Sequence, residues 1–138
     1  MASIGVIGAG TWGTALAVLL HNNGHQTAIW SALPEEIEEM TKTRRHKNLP
    51  EITIPEEIFL TADLEEAMAC KDVLIMAVPS VFVRSTAARM KPFLKKGQLV
   101  VDVAKGIEEG TLKTLSQVIE EELPEAETAI LSGPSHAE

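Results

Sequence analysis

The chain has 138 residues, 45% of them hydrophobic, enough for one domain with a single sizeable core and too apolar for general disorder. Its formal net charge of −8 argues against nucleic acid or an anionic membrane surface as a partner, since both need a basic face. Cys70 is the only cysteine, so no intrachain disulfide can form, and a reducing cytoplasm is the expected compartment.

Ser3–Gly8 reads as a short apolar strand, interrupted by glycine too early and flanked too weakly by charge for a signal peptide or a membrane span. It runs into Gly8-Ala9-Gly10-Thr11-Trp12-Gly13, and a helix over Trp12–Asn23 follows, ended by Gly24. Three spaced glycines alone are a weak signal. Strand, glycine loop and helix in that order make the dinucleotide-binding fingerprint. Gly8 permits the tight turn, Gly10 lets the backbone approach a pyrophosphate, and Gly13 lets the helix pack on the strand. The helix start would present free N–H groups and a partial positive charge to the phosphates.

Gln26–Trp30 is the second strand. A helix over Glu35–Arg45 follows Pro34, with Glu35, Glu36, Glu38 and Glu39 toward its positive end. Thr43–Pro55 holds Arg44, Arg45, His46 and Lys47 before two prolines, and reads as a solvated, mobile excursion. Strand Ile58–Thr61, a short helix Asp63–Ala69 and strand Asp72–Val78 come next. The last of these is almost wholly apolar, as a buried strand of a parallel sheet must be. Ser80 is the expected cap of a helix reaching Met90, which Pro92 stops. Strand Gln98–Val103, an amphipathic helix Thr111–Leu123 and strand Thr128–Leu131 complete the order. This alternation predicts an α/β fold: a Rossmann-type, doubly wound, mostly parallel six-stranded sheet with helices on both faces.

Such sheets bind ligands beyond the carboxyl ends of their strands, where three further segments fall. Val78-Pro79-Ser80 leaves the fourth strand; a rigid proline suits close passage of a nicotinamide–ribose unit, and an ordinary turn would read the same. Lys105, with Gly106, leaves the fifth strand, where an ammonium could polarise a carbonyl or hold a phosphate; a merely solvated lysine is the alternative. The tail Ser132–Glu138 offers backbone N–H groups and the Ser135 hydroxyl to a small anion, or is a plain terminus. His136 has no visible orienting partner. Four histidines and one cysteine show no metal-ligand spacing, so no metal is expected. After Trp30 come Ser31, Ala32 and Leu33, neither the acid suited to the ribose diol of NAD nor the arginine suited to the 2′-phosphate of NADP. Glu35 and Glu36 lie further along, Arg44 and Arg45 could fold back, and NAD or NADP stays open.

Gly8–Ala17, Val78-Pro79-Ser80, Ala104-Lys105-Gly106-Ile107-Glu108 and Ser132–Glu138 together closely resemble the bacterial NAD(P)-dependent glycerol-3-phosphate dehydrogenases. The likeness runs the length of the chain, and its last two motifs are more specific than the glycine loop. It implies that residues 1–138 are the NAD(P)-binding domain, cut at a domain boundary, with the family's C-terminal helical substrate domain absent. The implied reaction interconverts sn-glycerol 3-phosphate and dihydroxyacetone phosphate for phospholipid synthesis. By the same resemblance Thr11 and Trp12 contact the dinucleotide beside Gly8, Gly10, Gly13 and Pro79. Lys105 touches cofactor and substrate, Gly133 and Ser135 hold substrate, and Ala137 lines the cofactor site. The family's proton-transferring lysine lies in the absent domain, so no catalytic residue is assigned and little or no turnover is expected. The basic pair common after the second strand is replaced by Ala32 and Leu33, which implies dual or NAD-leaning use. Alternatives are a stand-alone redox-sensing module or another hydroxyacid or imine reductase; a homodimer is compatible with all of them.

Overall fold

The computed structural model describes residues 2–104 and 106–131. Eight strands and five α-helices follow in the order β1 (Ser3–Ile7), α1 (Thr11–Asn22), β2 (Gln26–Trp30), α2 (Pro34–Thr43), β3 (Arg45–His46), β4 (Leu49–Thr53), β5 (Phe59–Thr61), α3 (Leu64–Met68), β6 (Val73–Met76), α4 (Val83–Met90), β7 (Leu99–Asp102), α5 (Leu115–Glu122) and β8 (Glu127–Ile130). Six strands form one sheet in the order β5-β2-β1-β6-β7-β8, every neighbouring pair parallel. The chain therefore starts in the middle, builds outward to β5, then crosses back to β6. The crevice between β1 and β6 is the switch point where such sheets bind ligands.

The two-residue alternation of the strands sends side chains to opposite faces and separates two cores. Ile4, Val6 and Ile75 join Ala17 and Val18 of α1 and Ile37 and Met40 of α2. Ile7, Leu74, Met76 and Val100 join Ala67 and Met68 of α3, Ala87 and Met90 of α4, and Val118 and Ile119 of α5. Val6, Ile7, Leu74 and Met76 are wholly buried, as strands covered on both faces require. Trp30, 1% exposed, packs into the second core, and its indole Nε1–H donates to the Ala62 carbonyl (3.1 Å).

Helix starts differ in how they are satisfied. Asp63 caps α3 by accepting from the Glu65 and Glu66 backbone N–H groups, and Thr114 caps α5 in a reciprocal box with Gln117. The latter explains why α5 begins at Leu115 rather than at Thr111 as expected. Ser80 does not cap α4: it opens a 3-10 turn, Ser80–Phe82, and α4 starts only at Val83. The largest departure is Thr43–Pro55. Most of its residues are exposed, as expected, but β3 and β4 pair antiparallel within it, closed by a bond from the Ile54 N–H to the Arg44 carbonyl (2.7 Å). Ile54, 1% exposed, anchors this hairpin in the core shared with α1 and α2.

Candidate dinucleotide-binding site

The glycine loop joins β1 to α1 at the switch point, and its three glycines do different physical work. Gly8 sits at φ +131°, a conformation L side chains rarely adopt, and a Cβ there would lie 2.7 Å from the Ala77 backbone. A Cβ on Gly13 would lie 2.5 Å from the Gly8 carbonyl oxygen, so α1 can approach β1 only without a side chain. A Cβ on Gly10 would meet nothing within 4 Å. The glycine at that position answers no demand of the protein's own packing. It leaves room for something that comes close to the backbone.

Gly10 is also the N-cap of α1, with no side-chain cap and no acidic residue in the first turn. The first N–H groups of a helix have no intrahelical partner, and the helix dipole makes this end positive. The Thr14 N–H is taken by the Gly10 carbonyl (2.9 Å). The N–H groups ahead of it are therefore the natural seat for a diphosphate.

Two adjoining grooves meet at this loop. One, about 510 Å³, is bounded by Gly8, Ala9 and Gly10, by Ser31, Ala32, Leu33 and Glu36 after β2, and by Pro79, Phe82 and Arg89. The other, about 240 Å³, runs past Thr11, Trp12, Gly13, Ala77, Ser80, Val103 and Ala104. Gly10, Val78 and Pro79 border both, so together they form one trough across the carboxyl ends of β2, β1, β6 and β7. Trp12 stands 62% exposed beside it. Gly8, Gly10, Thr11, Trp12, Gly13 and Pro79 are thus brought together as expected. Lys105, Gly133, Ser135 and Ala137 lie outside the described residues.

At the β2 end, the Ser31 hydroxyl donates to Glu36 Oε1 (2.6 Å) and accepts from the Leu33 N–H (3.1 Å), which turns Glu36 back toward the groove. The carboxylate the sequence placed too far along therefore lines it. Arg44 and Arg45 do not fold back. The Arg44 guanidinium donates to the carbonyls of Pro55 (3.1 Å) and Ile58 (2.9 Å), and that of Arg45 to Pro50 (2.7 Å). The arginine that does border the groove is Arg89, lying 5.2 Å from the Trp30 ring centroid.

At and beyond the end of β7, two acidic residues assigned no role from the sequence, Asp102 and Glu108, stand on either side of position 105 in the chain. Asp102, 3% exposed, accepts from the Ala104 N–H (2.9 Å), and burial pushes its carboxyl above the usual value. Glu108 takes two bonds from Arg84 (2.7 and 2.8 Å) and one from the Thr111 hydroxyl (2.7 Å). Arg84 also pairs with Glu122 (2.7 Å) and Glu121 (3.0 Å), and Lys113 pairs with Glu121. The guanidinium holds the Glu108 carboxyl down at about 2 and is itself pushed up by the same bonds. This network ties the loop after β7 to α4 and α5. Arg84 lies 24 to 38 residues from its partners, so no local pattern announces these pairs.

Comparison with known proteins agrees with this geometry. Residues 3–138 match the family model described as NAD-dependent glycerol-3-phosphate dehydrogenase N-terminus. The chain is 52% identical over 139 residues to a glycerol-3-phosphate dehydrogenase [NAD(P)+] of Agathobacter rectalis, covering 100% of this chain and 41% of that protein. It is 53% identical over 144 residues to a second such enzyme, from Lactobacillus delbrueckii subsp. bulgaricus, covering 100% of this chain and 43% of the relative. The crystal structure of glycerol-3-phosphate dehydrogenase from Coxiella burnetii superposes with a TM-score of 0.89 at 30% identity, over 99% of this chain and 42% of that one. The chain thus spans about two fifths of the length of these relatives. It belongs to the NAD(P)-dependent glycerol-3-phosphate dehydrogenase family, of which it represents the N-terminal part.

Proposed function

We propose that these 138 residues are the cofactor-binding domain of an oxidoreductase that interconverts sn-glycerol 3-phosphate and dihydroxyacetone phosphate with NAD(P). The observation that carries the reading is Gly10: an uncapped helix start, at the switch point, with open space where a side chain would stand. The residues present fit a dinucleotide. The N–H groups of the loop and of the first turn of α1 would hold the pyrophosphate. Ser31 and Glu36 would face the adenosine ribose, and Val78, Pro79 and Trp12 would flank the nicotinamide half. The nicotinamide, when bound, supplies the hydride chemistry. The chain's part is to bind, to orient the ring, and to shield one side of it from water. In the same proposal Lys105 reaches both cofactor and substrate, Gly133 and Ser135 hold substrate, and Ala137 lines the cofactor site.

Glu36 favours NAD, because a carboxylate accepts bonds from a ribose diol and repels a 2′-phosphate. A cytoplasmic location, a homodimeric assembly and a place in phospholipid synthesis are part of the same reading. Among the described residues no helix is long and apolar enough to cross a membrane. The test is a titration of the chain with NADH and with NADPH, followed by quenching of Trp12 and Trp30 and energy transfer to the reduced ring. Saturable binding with NADH the tighter ligand is expected, with no steady-state turnover of dihydroxyacetone phosphate. Failure to bind either nucleotide refutes the reading.

A further inference from the structure

The β3–β4 hairpin is not absorbed by that account, yet it touches the glycine loop at two points. His46, 5% exposed, places Nε2 3.0 Å from the Ala9 carbonyl, while its Nδ1 accepts from the Asn48 N–H (3.1 Å). A carbonyl demands a donor and a backbone N–H demands an acceptor. Both contacts therefore select one state, the neutral ring with its hydrogen on Nε2. Asn48 Nδ2 in turn donates to the Thr11 hydroxyl (3.1 Å), in the first turn of α1.

The consequence for the loop follows from peptide geometry. Ala9 precedes Gly10 through a trans bond, in which the carbonyl and the next N–H point opposite ways. The Ala9 oxygen is held on the protein side by two donors, His46 and the Thr14 hydroxyl (3.2 Å). The Gly10 N–H must then face away from them, on the groove side. Releasing the carbonyl would let this peptide rotate and turn an oxygen toward the incoming phosphates. The Asn48 bond also leaves the Thr11 hydroxyl a fixed orientation with its own hydrogen free to donate elsewhere.

We propose that the hairpin is a pyrophosphate-positioning clamp, in which His46 and Asn48 set the glycine loop in the orientation that receives a dinucleotide. This deepens the nucleotide-binding reading above and rests on it. Neither residue needs to touch the ligand; His46 acts through Ala9 and Asn48 through Thr11. The hairpin is suited to this because Ile54 and the Arg44 bonds fix its base to the core.

The experiment measures NADH affinity by fluorescence titration, with melting temperature recorded for every variant. His46→Leu fills the pocket with an apolar side chain and removes both ring nitrogens. It should weaken NADH about tenfold, the size of one well-made bond. His46→Gln keeps an N–H donor for the Ala9 carbonyl and should recover most of the loss. Asn48→Ala removes an exposed bond at little cost in stability and should weaken NADH roughly threefold. In a Thr11→Val background the same Asn48→Ala change should have no effect, because the group it orients is gone. That last arm decides the matter where His46→Leu melts too low to titrate. Unchanged NADH affinity in His46→Leu and Asn48→Ala, with the wild-type chain binding normally, overturns the clamp alone. An Asn48→Ala loss that persists undiminished in Thr11→Val overturns it too. Absence of binding by the wild-type chain overturns the nucleotide reading and the clamp together.

Discussion

Gly10→Ala and Gly13→Ala should separate binding from folding within one loop. On Gly13 the new Cβ would lie 2.5 Å from the Gly8 carbonyl oxygen and 3.2 Å from the Ala77 Cβ. The first contact is backbone, so no rotamer change relieves it, and α1 must move off β1. Overpacking of this kind costs about 1–3 kcal/mol, offset by about 1 kcal/mol of helix propensity gained when alanine replaces glycine. The net loss is up to about 2 kcal/mol, or as much as roughly 8 °C in melting temperature for a domain of this size. On Gly10 the Cβ meets nothing within 4 Å, and φ of −70° suits alanine. Reduced unfolded-state entropy and a poorer N-cap nearly cancel there, leaving stability within about 0.5 kcal/mol of the parent. The same methyl would stand where the diphosphate approaches, so NADH affinity should fall at least about tenfold. Thermal unfolding by circular dichroism and fluorescence titration read the two quantities separately. Gly10→Ala binding NADH as tightly as the parent would refute the argument that this space is kept for phosphate.

Other consequences are more local. Glu36→Gln removes a negative charge from the ribose end of the groove and should raise NADPH affinity relative to NADH about fivefold, the worth of one partly exposed charge pair; an unchanged ratio would remove Glu36 from cofactor choice. Glu108 titrates at about 2 in the folded protein against an ordinary 4.5, so its share of stability is complete above pH 4.5 and is lost as pH falls toward 2. Urea unfolding of Glu108→Gln between pH 5 and 2 should accordingly be flatter than that of the parent. Asp102 has the opposite sign. Its carboxyl is raised above 3.8, so the folded state binds the proton more readily and stability declines as pH climbs through that window, remaining lower above it. Asp102→Asn retains an acceptor for the Ala104 N–H and should melt higher than the parent at pH 7; a lower melting temperature would show that the carboxylate is needed there.

What the sequence determined by itself was whatever short-range physics can encode. The spacing of Gly8, Gly10 and Gly13, the succession of strand and helix patterns and the apolar run Val73–Met76 each act over a few residues. Together they specify a parallel doubly wound sheet and its glycine turn between β1 and α1. Element ends slipped where a cap decides them, as at Thr114, or where a 3-10 turn intervenes, as at Ser80. Only the tertiary structure decided how distant polar groups were used. His46 lies 37 residues from the carbonyl it holds, and Arg84 lies 24 residues from Glu108. The basic run Arg44–Lys47 read as solvated because isolated positive charges belong in water. Folding instead gave Arg44 and Arg45 backbone carbonyls to satisfy and gave His46 a neutral, doubly bonded place behind the glycine loop. A hydrogen bond needs two partners at a fixed distance and angle, and one of them is set by the path of the chain rather than by its local pattern.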